Sequence, residues 1–130
     1  MKKDLTNRDD IEVLINVFYS KVLADNLLSP VFNEKLMINW ERHIPLMCDF
    51  WENMLFYTGP YKGNPMILHQ HLNRVHAIRQ EHFDKWLEIF LATVSLHFKG
   101  PMASLAKKKA KSLAKILSEA MQQHFLDVDQ

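Results

Sequence analysis

At 130 residues the chain fits one domain, residues 1–130, and its 48% hydrophobic and 24% charged content describes a folded protein rather than a disordered one. A net charge of +1 offers none of the basic excess that nucleic acids or anionic membranes select, so neither partner is expected. One cysteine, Cys48, excludes an internal disulfide and fits a reducing compartment. The segment Met1 to Asn7 has no apolar stretch behind its charges, and no apolar run approaches membrane-span length. A cytoplasmic setting is therefore expected.

Helical spacing begins at once. Ile11, Leu14, Ile15, Phe18, Tyr19, Val22 and Leu23 recur in steps of three and four, with Asn7, Asp9 and Asp10 suited to a helix start. The run ends near Asp25-Asn26. Leu27 to Phe32 reads as an apolar corner in which Pro30 limits helix at Ser29. The second helix is expected from Leu36 to Thr58, with Trp40, His43, Ile44, Met47, Trp51, Met54 and Leu55 on its apolar stripe. Pro45 should bend or divide it, leaving a start at Ile44 as an alternative.

Gly59-Pro60-Tyr61-Lys62-Gly63-Asn64 is the clearest loop, and a short helix from Pro65 to Leu72 follows it. Asn73 to Arg79 favours no element. From Gln80 to Phe98 the stripe resumes with Phe83, Trp86, Leu87, Phe90, Leu91 and Val94, until Gly100-Pro101 breaks it. A last helix covers Met102 to Phe125, turning Leu105, Leu113, Leu117 and Met121 inward. Its lysines, at 107, 108, 109, 111 and 115, read as a solvated face. No run alternates with period two, so the fold class is all-α around one core.

Three polar-tipped side chains then lie on the apolar stripes of three helices: Tyr19, His43 and Trp86. Each needs a partner if buried. By spacing alone these are ordinary core residues, and so are Trp40 and Trp51. Cys48 reads as a small buried hydrophobe, and His82 and His97 as structural or exposed. There is no HExxH spacing, cysteine pair, GxGxxG loop or partnered nucleophile.

In chain order, Phe18-Tyr19-Ser20-Lys21-Val22, Pro30-Val31-Phe32-Asn33, Trp40 to Trp51, Tyr61 to Met66 with His69 and Leu72, and His82 to Phe90 resemble the truncated haemoglobins. The likeness spans roughly residues 10 to 100. The glycine-pair motifs of other groups are missing, which favours group III. The resemblance implies a globin-like two-over-two helical sandwich around haem b, with His69 as the proximal iron ligand and His71 and His76 as nearby competitors. It implies a distal pocket of Tyr19, His43 and Trp86, with Phe32, Met47, Phe83 and Trp86 against the haem.

The expected ligand is a diatomic gas: dioxygen, nitric oxide or carbon monoxide. Two pocket hydrogen bonds of about 1 kcal/mol each would slow its release roughly tenfold to thirtyfold. A haem redox enzyme, either a nitric-oxide dioxygenase or peroxidase-like, would need a separate reductase, because the chain carries no flavin or nicotinamide motif. A cofactor-free helical interaction module is the third reading. A monomer or weak dimer is expected.

Overall fold

Asn7 opens the first helix. Its side chain accepts from the Asp10 backbone N–H at 3.1 Å, and Asp9 and Asp10 place negative charge at the helix N-terminus. Helix α1 (Arg8–Ala24) buries Ile11, Leu14, Ile15, Phe18, Tyr19 and Val22, as the spacing predicts. Leu23 departs from that stripe and is 37% exposed, in the last turn of α1. The computed structural model describes residues 2–35, 38–59 and 79–128, and side chains for 2–34, 38–59 and 79–119. The expected short helix at 65–72, most of the preceding loop, and His69, His71 and His76 lie outside the described residues.

The corner after α1 differs from expectation. The Asp25 carboxylate accepts from the N–H groups of Leu27 and Leu28, and its carbonyl accepts from Ser29 N–H. Ser29 and Pro30 are helical, so Pro30 stands at a helix start, where its missing N–H costs little. The chain then passes into a π-helical turn, Val31–Lys35. Such wide turns are rare and concentrate at functional sites.

Helix α2 (Trp40–Phe56) begins later than the expected Leu36, since Ile38 and Asn39 are not helical, and it ends at Tyr57 in a left-handed conformation, φ 59°. Pro45 neither divides α2 nor delays its start to Ile44. It is exposed near the beginning of the helix, where it removes a single backbone bond, and Asn39 accepts from Arg42 and His43 N–H to secure the first turn.

Helix α3 (Gln80–His97) buries His82, Phe90, Thr93 and Val94. Helix α4 (Pro101–Val128) starts with proline at its first position. Its buried stripe is made of small residues, Ala103, Ala106, Ala110, Ala114 and Ser118. Of the leucines expected inward, Leu105 and Leu113 are half-buried and pack against the core cluster, and Leu117 is half-buried. Alanine on the contact face lets α4 approach α3 closely, and α3–α4 is the most extensive helix pair. Helix α1 packs on both α2 and α3, and α2 touches α4 more lightly. This is the two-over-two sandwich expected from the sequence.

The N-terminal segment ties the two halves together. Asp4 accepts from Met102 N–H at 3.0 Å and Ala103 N–H at 2.8 Å, capping α4 from outside its own sequence. Lys99 N–H donates to the Lys3 carbonyl, and Lys2 Nζ donates to the Ser95 carbonyl. Gly100, at φ +147°, leaves room for this approach; a Cβ there would collide with the Asp4 carboxylate.

Candidate functional site

Two adjacent residues of α1 open the site. Phe18 is buried against the rings of Trp86, at 5.6 Å and 89°, and Phe90, at 5.1 Å and 79°. Tyr19, 5% exposed, turns toward α2. There its hydroxyl meets His43 Nε2 at 3.0 Å, a buried hydrogen bond between two helices. Burial pushes the Tyr19 phenol up from its ordinary value, so it stays protonated and able to donate. The proton between Tyr19 and His43 has two possible homes. If His43 carries it on Nε2, the imidazole donates and the phenol proton is left for another acceptor.

Around this polar pair the lining is apolar. Phe32, from the π-helical turn, meets Tyr19 edge-on at 6.1 Å. Met47 lies one helical turn beyond His43 and packs half-buried on the core, as does Ile44. Trp86 stacks on Phe90 at 5.8 Å and 12°, and Trp51 stacks on Phe90 from α2 at 4.8 Å and 20°. Trp86 is half-buried, and its indole N–H has no acceptor among the described residues.

The expected residues are therefore brought together unequally. Tyr19, His43 and Phe32 are in mutual contact or one ring apart. Trp86 and Tyr19 both meet the ring of Phe18. Phe83 is half-buried but is not among the side chains packed on the core cluster. Two contributors were not singled out by sequence. Phe18 is the ring shared by both sides of the site, and its signal was its place beside Tyr19 on the same stripe. Trp40, taken as core, is half-buried and packs on Tyr19, His43 and Phe32.

His82 is buried, and its Nδ1 accepts from the Arg79 N–H at 2.8 Å, a structural task at the start of α3. His97 is exposed. Cys48 is buried as expected, and burial pushes its thiol up to about 11. Lys85 pairs with Asp25 at 3.8 Å and Glu88 at 3.5 Å. On the outer face Arg8 joins Asp49 at 2.6 Å and Glu52 at 2.9 Å, locking α1 to α2. Among the described residues, no three His, Cys, Asp or Glu side chains converge to hold an ion, and no helix is long and apolar enough to cross a membrane.

A buried Tyr–His bond, half-buried apolar side chains beside it and an indole donor with no acceptor among the described residues fit a flat, apolar group that carries a small polar ligand. With this helical sandwich, the arrangement is that of a globin. Residues 4–122 match the family model described as "Bacterial-like globin", and the chain belongs to that family. It is 31% identical over 117 residues to a group 3 truncated hemoglobin of Campylobacter jejuni, covering 88% of this chain and 90% of that protein. A crystal structure of group III truncated hemoglobin from Campylobacter jejuni superposes with a TM-score of 0.80 at 29% identity, covering 93% of this chain and 95% of that one. The resemblance to group III truncated haemoglobins read from the sequence is borne out, and family membership implies a haem cofactor.

Proposed function

We propose that the protein binds haem b through His69 and holds a diatomic gas, dioxygen or nitric oxide, in a pocket formed by Tyr19, His43 and Trp86. The observation that carries this reading is the buried 3.0 Å bond between Tyr19 Oη and His43 Nε2, set among half-buried apolar side chains. Haem would supply an iron with one coordination position open to a gas.

The chain's own residues do the rest. Phe32, Met47 and Trp86 offer an apolar wall and keep bulk water from the polar pair. Tyr19 donates its phenol proton toward the ligand when His43 donates to Tyr19 Oη, so the imidazole fixes the direction of the tyrosine donor. Trp86, edge-on to Phe18, adds a second donor. A ligand with partial negative charge gains from both donors in a water-poor site, which favours retention over fast delivery.

The test is an absorption spectrum after haem reconstitution, in ferric, ferrous and carbon-monoxide-treated forms, for the natural protein and for His69→Ala and His71→Ala. A Soret band that shifts with carbon monoxide, and is lost or altered in His69→Ala alone, is the expected result. A protein that stays colourless would overturn the haem assignment. Loss in His71→Ala alone would move the proximal ligand to His71.

A further inference from the structure

Trp40 is an aromatic side chain of the site that the proposed pocket does not use. Trp40 stands one turn before His43 on α2, so the two share a helix face. Its indole meets His43 edge-on at 5.6 Å and 86°, and Tyr19 at 5.2 Å and 61°. It stacks on Phe32 at 5.9 Å and 28°. Its Nε1 donates to Asn33 Oδ1 at 3.2 Å, and Asn33 Nδ2 in turn donates to Ser29 Oγ at 3.3 Å. Trp40 therefore touches both members of the buried polar pair and is tied by a hydrogen bond to the π-helical turn. It is half-buried, whereas Tyr19 and His43 are buried.

We infer that Trp40 is a positioning residue, whose indole, anchored by Asn33, holds the His43 imidazole against Tyr19 and limits how often His43 swings outward. A histidine on the first turns of a helix reaches solvent by rotating about χ1, and the Trp40 ring packs edge-on against this imidazole. The π-helical turn has a use in this arrangement: it presents Asn33 toward Trp40 while Phe32 backs the same indole. Removing the ring takes away an edge contact on each member of the pair, and aromatic contacts of this kind shift a two-position equilibrium by about tenfold. The inference rests on the distal-pocket reading for its consequence to gas binding, but the hold on His43 exists without haem.

The experiment measures carbethoxylation of His43 by diethyl pyrocarbonate in the haem-free protein, read peptide by peptide by mass spectrometry, and carbon-monoxide association after haem loading. The variants are Trp40→Ala, Trp40→Phe, Asn33→Ala and, as a distant core control, Leu55→Ala. Trp40→Ala should speed His43 modification by about tenfold and raise carbon-monoxide association with it. Trp40→Phe, which keeps a ring but loses the Asn33 bond, and Asn33→Ala should each speed it about threefold. Leu55→Ala should leave it unchanged.

Equal rates in Trp40→Ala and the natural protein, or an equal rise in Leu55→Ala, would overturn the inference. Should Trp40→Ala fail to fold, natural rates in both Trp40→Phe and Asn33→Ala would do the same. A protein that takes up no haem defeats the gas-pocket reading alone, because the modification rates still decide what holds His43.

Discussion

The Trp86 indole meets Phe18 edge-on at 5.6 Å, and Tyr19 meets the same Phe18 ring at 4.8 Å. The two proposed gas donors therefore share one aromatic neighbour. Tyr19→Phe and Trp86→Phe should each speed dioxygen release by about fivefold, the weight of one net hydrogen bond. If each donates to the ligand independently, the double variant should release it about twenty-fivefold faster, with coupling below about 0.5 kcal/mol. Stopped-flow displacement of dioxygen from the reconstituted ferrous protein measures this. A double variant no faster than either single one would show that only one residue reaches the ligand.

Cys48 gives a prediction in the alkaline range. Burial lifts its thiol from an ordinary 9.0 to about 11. A group held protonated in the folded state contributes fully below pH 9, and its contribution is lost as pH rises toward 11, because the unfolded chain gives up that proton first. Replacing Cys48 by alanine should flatten the fall in stability between those values, as urea titrations at pH 8 and pH 10.5 would reveal. At pH 8 the native thiol holds about a hundredfold less thiolate than a free one. Its reaction with a disulfide reagent should be slower by at least that factor, and a fast reaction would show that the thiol is not enclosed.

Asp4 carries the opposite sign. Burial raises its carboxyl, but donation from the N–H groups of Met102, Ala103 and Leu5 outweighs this and holds it below the ordinary 3.8. Its contribution is present above about pH 4 and disappears as pH falls through the lower folded value. Asp4→Ala should cost about 1–2 kcal/mol at pH 7, the weight of a helix N-cap, and much less at pH 2. Chemical denaturation at both pH values checks the difference, and an equal cost at both would remove the carboxylate from the explanation.

The small-residue stripe of α4 predicts intolerance of volume. Ala110 is 0% exposed, and Ala110→Leu should cost about 1–3 kcal/mol through overpacking. Lys108→Ala on the exposed face should change stability by less than about 0.5 kcal/mol. Thermal melts of the two variants separate them, and equal melting temperatures would mean that α4 sits more loosely than its burial implies.

The sequence disclosed the helices whose apolar residues are large and regularly spaced. In α1 the stripe from Ile11 to Val22 is the buried face, and α3 buries Phe90 and Val94 as read. It was incomplete where size and burial part company. In α4 the leucine spacing found Leu105 and Leu113, which pack half-buried on the core, but missed the fully enclosed stripe of Ala103, Ala106, Ala110 and Ala114. The π-helical turn was hidden because proline suggested an end at a place where it serves a beginning.

Within the site, Tyr19 and His43 could be assigned to inward faces, but their pairing depends on how α1 crosses α2. Trp40 was hidden for the same reason. Nothing in spacing distinguishes an indole that fills a core from one that leans on a histidine. His82 was obscure because accepting from a backbone N–H at a helix start is usually done by glutamate or glutamine.

The tie between Asp4 and the start of α4 also bears on how the chain closes. It joins residues 98 and 99 positions apart, so Asp4 leaves the ribosome several seconds before its partners are synthesised, at roughly 5–20 residues per second. Such a distant contact forms after the helices have docked, on the native side of the folding barrier. Its loss would then leave the refolding rate nearly unchanged and accelerate unfolding instead, making the first few residues a latch on the lifetime of the folded globin.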